Sequence, residues 1–185
     1  MPESCKTTLL ELSARHQAGG VEAVLQVYPC QKHFLLILPQ GDKAPPVVWT
    51  SSNPSIVSGR TTLTKIDVKK TLKECTFPNA IVNPIQKSGR NDFPYICVGR
   101  HIDADIRLNS TQVSKNHSAF YINKENKLLV QDLCSTNGTF INDIPSFENQ
   151  TYSPESWTEI VFGDVRTIYT NLNDLQELLA SVKIA

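Results

Sequence analysis

From Asn79 onward, short apolar runs rich in Ile, Val, Phe and Tyr recur along the chain. Their spacing of about 8–12 residues is that of β-sandwiches and barrels. The predicted strands cover residues 80–86, 95–98, 106–108, 118–122, 127–133, 139–141, 159–162 and 166–169. Turn-forming clusters divide them: Ser88-Gly89-Arg90-Asn91-Asp92, Lys124-Glu125-Asn126, Asn142-Asp143 and Gly163-Asp164. Leu175, Leu178 and Leu179 then carry helical spacing, so residues 172–182 are expected to form a helix with one face on the sheet.

Ahead of Asn79 the pattern is mixed. Leu9, Leu10 and Leu12 predict a helix over residues 7–17 that stops at Gly19-Gly20. Two short strands are expected next, over 21–28 and 33–38, then a loop over 39–46. Val47-Val48-Trp49 reads as a strand, and residues 62–75 fit either a strand or a short helix. There is no internal repeat, heptad pattern or low-complexity tract.

Composition narrows the class of function. A chain of 185 residues can bury a core without a metal or disulfide staple. Its 18 Lys+Arg balance 18 Asp+Glu, which argues against attachment to nucleic acid or an anionic membrane through bulk charge. The longest apolar run, around Phe34-Leu35-Leu36-Ile37-Leu38, is strand-sized and far short of the roughly 20 residues of a membrane span. Met1-Pro2-Glu3-Ser4-Cys5 lacks a basic region followed by an apolar stretch, so no signal peptide is expected. Cys5, Cys30, Cys75, Cys97 and Cys134 are odd in number and lack zinc-ligand spacing. The expectation is reduced structural thiols in a cytoplasmic protein, with no metal and no cofactor.

Three segments carry the chemistry: Gly99-Arg100, Ser114-Lys115-Asn116-His117, and the run from Asp132 to Asn142 that contains Cys134-Ser135-Thr136-Asn137-Gly138. An arginine after a glycine presents a planar fork of donors suited to two phosphate oxygens. Ser114 offers a hydroxyl donor and Lys115 a charge. Thr136 and Asn137 precede a glycine in a tight loop, and Asn137 has the amide to grip a peptide backbone. Each segment alone has a plain reading: a solvated turn, a local brace between Ser114 and His117, and an ordinary β-turn. A catalytic reading pairs Ser114 as nucleophile with His117 as base. The spacing is too local, the flanks lack Gly-x-Ser-x-Gly, and no third group is evident, so no enzyme is expected.

In combination, Gly99-Arg100, Ser-x-x-His and Asp-x-x-Ser-Thr-Asn-Gly-Thr-Phe-Ile-Asn resemble the forkhead-associated (FHA) domain over residues 79–171. The resemblance implies an antiparallel β-sandwich of about 11 strands. Residues 1–78 would be an N-terminal α/β extension and residues 172–185 a C-terminal helix. The extension is similar to that of small bacterial FHA proteins. The resemblance also implies recognition of phosphothreonine, with the phosphate held by Arg100, Ser114 and Thr136. Lys115 would be a further phosphate contact and Asn137 would grip the ligand backbone. Gly99, His117 and Gly138 would support the site, and the loops around Gln112, Cys134 and Ser135 would read the flanking residues. The implied partner is a threonine-phosphorylated protein, a kinase or its substrate. One departure is Ser153-Pro154-Glu155-Ser156-Trp157, where members often carry Asp-Gly-Asp; it lies away from the phosphate contacts. The alternative is a phospho-independent scaffold or self-association protein that uses a sandwich face or the extension.

Overall fold

The computed structural model describes residues 7–39, 79–147 and 150–182. The expected strand at Val47-Val48-Trp49, the segment 62–75, the loop beyond Pro39, and the thiols Cys5 and Cys75 lie outside the described residues. Twelve strands and two helices are present among the described residues, in two sheets.

The larger sheet has seven strands: β1 (Thr7–Thr8), β2 (His33–Ile37), β3 (Ile81–Pro84), β8 (Thr139–Ile141), β9 (Ile144–Pro145), β11 (Thr158–Phe162) and β12 (Val165–Asn171). Their order is β1-β3-β2-β12-β11-β8-β9. The smaller sheet holds β4 (Ile96–Gly99), β5 (Ile106–Arg107), β6 (Ser118–Ile122), β7 (Leu128–Asp132) and β10 (Thr151–Tyr152), in the order β10-β7-β6-β4-β5. Pairing is antiparallel except between β4 and β5, which run parallel through Val98↔Ile106 and Gly99↔Arg107. The expected antiparallel sandwich is thus present, with one parallel pair at that edge. The short strands β1, β9 and β10 were not expected from the sequence, because two residues carry no period.

One correction concerns the N-terminal helix, α1 (Leu9–Val27), which continues past the expected stop. Thr8 caps it: its hydroxyl accepts from the Glu11 amide while the Glu11 carboxylate accepts from the Thr8 amide. Gly20 takes the left-handed φ of 64° and kinks the helix instead of ending it. Residues 21–28 are thus helical up to Val27 and not a strand. Val24, Val27 and Tyr28, at i, i+3 and i+4, all pack on the same core, the spacing of a helix face.

β2 explains how the layers fit together. It lies between β3 and β12, paired from Phe34↔Pro84 to Ile37↔Ile81 on one side and from His33↔Asn171 to Ile37↔Thr167 on the other. The segment ahead of Asn79 therefore supplies a strand inside the larger sheet as well as α1. Along β2, Phe34 and Leu36 join a core with Leu9, Leu12 and Val24 of α1 and with Leu175, Leu178 and Leu179 of α2 (Leu172–Ser181). Leu35 points the other way, into the inter-sheet core with Val98, Phe120, Ile160 and Phe162. The period of two thus places one strand in two cores, and the molecule has three layers: helices, larger sheet, smaller sheet.

Leu35 is fully buried. Leu35→Ala is expected to lower unfolding stability by about 2–5 kcal/mol, read as a fall in the urea midpoint at unchanged slope. A loss under about 1 kcal/mol would mean that β2 adds little to the sandwich.

Candidate functional site

One end of the sandwich gathers the end of β4, the loops over residues 108–117 and 133–138, and the turn at Gly163-Asp164. Backbone bonds join the first two: Arg100 N–H donates to Ser114 O (3.0 Å), His101 N–H to Lys115 O (3.3 Å) and His117 N–H to Val98 O (2.8 Å). Gly99 is required at this crossing. A Cβ there would stand 2.0 Å from the Lys115 carbonyl oxygen and 2.8 Å from its carbon, both of them backbone atoms. The pairing keeps Arg100 beside Ser114, and His101 beside Lys115.

His117 is fully buried and holds both of its neighbouring loops. Its Nδ1 accepts from the Ser114 amide at 3.0 Å, and Nε2 donates to the Gly138 carbonyl at 3.1 Å. An amide can only donate, so Nδ1 carries no proton and the ring is neutral. Its edge packs on Phe162, centroids 5.8 Å apart. Burial pushes the imidazole below its ordinary 6.5, against the bond to Gly138 and the charge of Asp132, which favour protonation. The ring meets the Ser114 amide and not its hydroxyl, and both ring nitrogens are engaged. This arrangement gives Ser114 no general base.

The second loop is built by a residue that the sequence reading did not single out. The buried Asp132 carboxylate accepts from the Ser135 amide (2.9 Å), the Ser135 hydroxyl (2.6 Å) and the Thr139 hydroxyl (2.6 Å). Thr139 in turn meets the Ser118 hydroxyl at 2.6 Å across the two sheets. The signal was present as Asp-x-x-Ser, the spacing of a side chain that caps its own turn. Cys134 is exposed at the left-handed φ of 54°. Gly138 completes the loop at a φ of 76°, and its carbonyl also accepts from Gly163 N–H at 3.1 Å.

The two loops meet at Ser114 and Thr136. The Ser114 hydroxyl accepts from the Thr136 amide at 3.1 Å and donates to the Thr136 hydroxyl at 3.4 Å. Beside them Asn137 is exposed, and its Nδ2 donates to both Gln112 O (2.8 Å) and Gln112 Oε1 (3.0 Å). Only the Asn137 Oδ1 is left to face a ligand. The Gln112 main chain is itself fixed by Gly163, where a Cβ would stand 2.4 Å from the Gln112 carbonyl. Arg100 and Lys115 are exposed, and neither has an ion pair among the described residues. The structure thus brings Arg100, Ser114, Lys115, Thr136, Asn137 and Gln112 to one end of the sandwich. It commits the Ser135 hydroxyl to Asp132 and leaves Cys134 exposed on the same loop. The result is a set of donors around two small hydroxyls, with two full positive charges nearby, suited to an oxyanion.

The family whose sequence model matches is the FHA domain, over residues 96–163. The matched span runs from β4 to the turn after β11, so every site residue from Gly99 to Gly138 lies within it. β2, β3 and β12, which complete the larger sheet, lie outside it. Two curated relatives, each named oxoglutarate dehydrogenase inhibitor, come from Corynebacterium efficiens and Corynebacterium glutamicum. Each is 35% identical over 78 residues, covering 42% of this chain and 52% of the relative. The chain spans about half the length of the curated relatives it matches. Among solved structures, an FHA domain from Chlamydia trachomatis is 14% identical, with a TM-score of 0.46, over 75% of this chain and 96% of that one. Mycobacterium tuberculosis EmbR, solved with a low-affinity phosphopeptide, is 18% identical with a TM-score of 0.44, over 86% of this chain and 31% of that one. Among the described residues no cluster of three or more His, Cys, Asp or Glu is arranged for a metal ion. No helix among them is long and apolar enough to cross a membrane.

The state of His117 sets the pH response of the FHA site. A histidine whose folded pKa is lowered stabilises fully above the unfolded value, and that stability is lost as pH falls from 6.5 towards the folded value. His33 is lowered by burial as well, so a melting curve alone would mix the two. The His117 ring proton followed by NMR is expected to titrate below 6.5, with the urea midpoint falling as pH drops through the same window. A His117 titration at or above 6.5 would contradict the neutral bridge.

Proposed function

We propose that this protein binds threonine-phosphorylated proteins without catalysis, as an adaptor in Ser/Thr kinase signalling in the cytoplasm. The observation that carries the reading is the Ser114–Thr136 hydroxyl pair at 3.4 Å, set beside Arg100, which has no ion pair among the described residues. In this reading the Arg100 guanidinium and the Ser114 and Thr136 hydroxyls donate to the phosphate, and Lys115 adds charge. Ser114 turns its hydrogen from Thr136 to a phosphate oxygen, an exchange that leaves neither hydroxyl unsatisfied. Asn137 grips the ligand main chain by accepting a peptide N–H on Oδ1, while Gln112 keeps its amide in place. Each charge-assisted hydrogen bond contributes about 1.5–3 kcal/mol, so two or three support reversible affinity.

Threonine is favoured over serine by its methyl group, which stabilises by about 0.8 kcal/mol when buried, or about fourfold. A stronger preference needs the β-branch to set the direction of the phosphate. The partner is a kinase or its substrate. The curated relatives' name, inhibitor of another enzyme, supports a regulatory role over a catalytic one. We assign the FHA-like unit to residues 79–171, with 1–78 as an extension that lends β1 and β2 to its larger sheet, and the C-terminal helix following it.

A phospho-independent scaffold is favoured by one observation: Ile144, on the edge strand β9, and Phe147, just beyond it, are 62% and 59% exposed. The two readings separate in one titration. A phosphothreonine peptide is expected to bind at least about tenfold tighter than its unphosphorylated form. Arg100→Ala, Ser114→Ala and Thr136→Ala should each remove about tenfold or more of that affinity. Equal binding of both peptides, or partner capture that survives Arg100→Ala, would favour the scaffold.

A further inference from the structure

A cavity of about 400 Å³ opens immediately beside the site, lined by Arg90, Phe93, His101, Asp103 and Lys115 among others. Its position follows from the backbone pairing described above. Arg100 and Ser114 face each other through one hydrogen bond, and the next residues in each segment, His101 and Lys115, are joined by the next bond and line the cavity. The two spaces are therefore one residue apart along both segments.

The cavity is cationic and polar. Arg90 and Lys115 are exposed and have no ion pair among the described residues. The acidic lining residue, Asp103, faces His101 Nδ1 at 3.3 Å. Two full positive charges thus outnumber one carboxylate. Phe93 stacks on Tyr95, with ring centroids 5.1 Å apart and planes 9° apart, and forms an apolar wall.

These walls are built and not merely adjacent. The Asp105 side chain has no exposed surface. It accepts from the Ser88 amide (2.7 Å), the Ser88 hydroxyl (2.8 Å), the Cys97 amide (2.8 Å) and Lys87 Nζ (3.1 Å). Burial alone would raise this carboxyl; the donors around it hold it below its ordinary 3.8. Asn91 Nδ2 ties the same loop to the Asp103 carbonyl at 2.7 Å, and the Arg90 amide donates to the Ser88 hydroxyl at 3.3 Å. Arg90 therefore projects from an anchored backbone, which lowers the ordering cost of binding.

We propose that this cavity is a second anion subsite, which takes an acidic or phosphorylated side chain of the same ligand a few residues from the phosphothreonine. Arg90 is its specificity-determining cation. The inference rests on the phosphothreonine reading of Arg100, Ser114 and Thr136. An extended ligand advances about 3.3 Å per residue, so a neighbouring side chain reaches the cavity while the phosphate stays in place. A carboxylate and a second phosphate share the chemistry the cavity would recognise; the arginine fork suits both.

The test uses fluorescence anisotropy with the full chain and a phosphothreonine peptide flanked by alanines. Aspartate, glutamate or phosphoserine then replaces each flanking alanine in turn. One position is expected to tighten binding by about fivefold to tenfold. Whether the carboxylates or only phosphoserine do so tells the two ligand sources apart. Arg90→Gln should erase that gain and leave binding of the alanine-flanked peptide unchanged. Arg90→Glu should reverse the preference towards a lysine at the same position. Equal binding of all flanked peptides to wild type, or a gain that survives in Arg90→Gln, would overturn the subsite and leave the phosphothreonine reading standing. Failure of wild type to bind any phosphothreonine peptide would overturn both.

Discussion

A neutral imidazole between two loops holds the site together. His117 accepts the Ser114 amide on one nitrogen and donates to the Gly138 carbonyl with the other, inside the core. These loops belong to different stretches of chain, and the first of them is also fixed to β4 through Arg100 and His101. A charged ring would aim two N–H groups at these partners, one of them at another donor. A lost ring would leave a buried amide without a partner, at a cost of about 1–3 kcal/mol. The meeting of Ser114 with Thr136 follows from this bridge and from Asp132, which folds the second loop from behind.

The three-layer build explains why this end of the sandwich can be polar and exposed. Leu108 and Val113 anchor the first loop in the inter-sheet core, and the strands on either side position the rest. Phe162 links these levels, since it packs on both His117 and Phe120. β2 adds rigidity from the opposite side, where Leu35 faces the inter-sheet core while Phe34 and Leu36 lie beneath the helices. The segment ahead of the matched FHA span is thereby joined to the fold through the larger sheet.

Much of this was legible in the residues, for identifiable reasons. β6 and β8 fall on the expected bounds, since alternation and flanking turn residues agree there. Ser-x-x-His and Thr-Asn-Gly stood out as candidate site segments because each demands a specific local geometry. Residues 21–28 misled because β-branched valines suggest strands, whereas Val24, Val27 and Tyr28, at i, i+3 and i+4, carried the helical signal. Gly20 reads as a stop in sequence and acts as a kink, because the far side of the helix still has a core to cover. The Gln112–Asn137 bonds and the Arg90 cavity could not be read at all. They depend on how loops from separate strands dock, which periodicity does not encode.

The central claim is that Arg100, Ser114, Thr136 and Asn137 form one phosphate-reading surface that is in place before the ligand arrives. Amide NMR of the labelled full chain, titrated with a phosphothreonine peptide and then with its unphosphorylated form, tests this most directly. Shifts concentrated at Arg100, Ser114, Thr136 and Asn137, and absent with the unphosphorylated peptide, are the predicted result. Shifts that are the same for both peptides, or that map to the surface around Ile144 and Phe147, would contradict it.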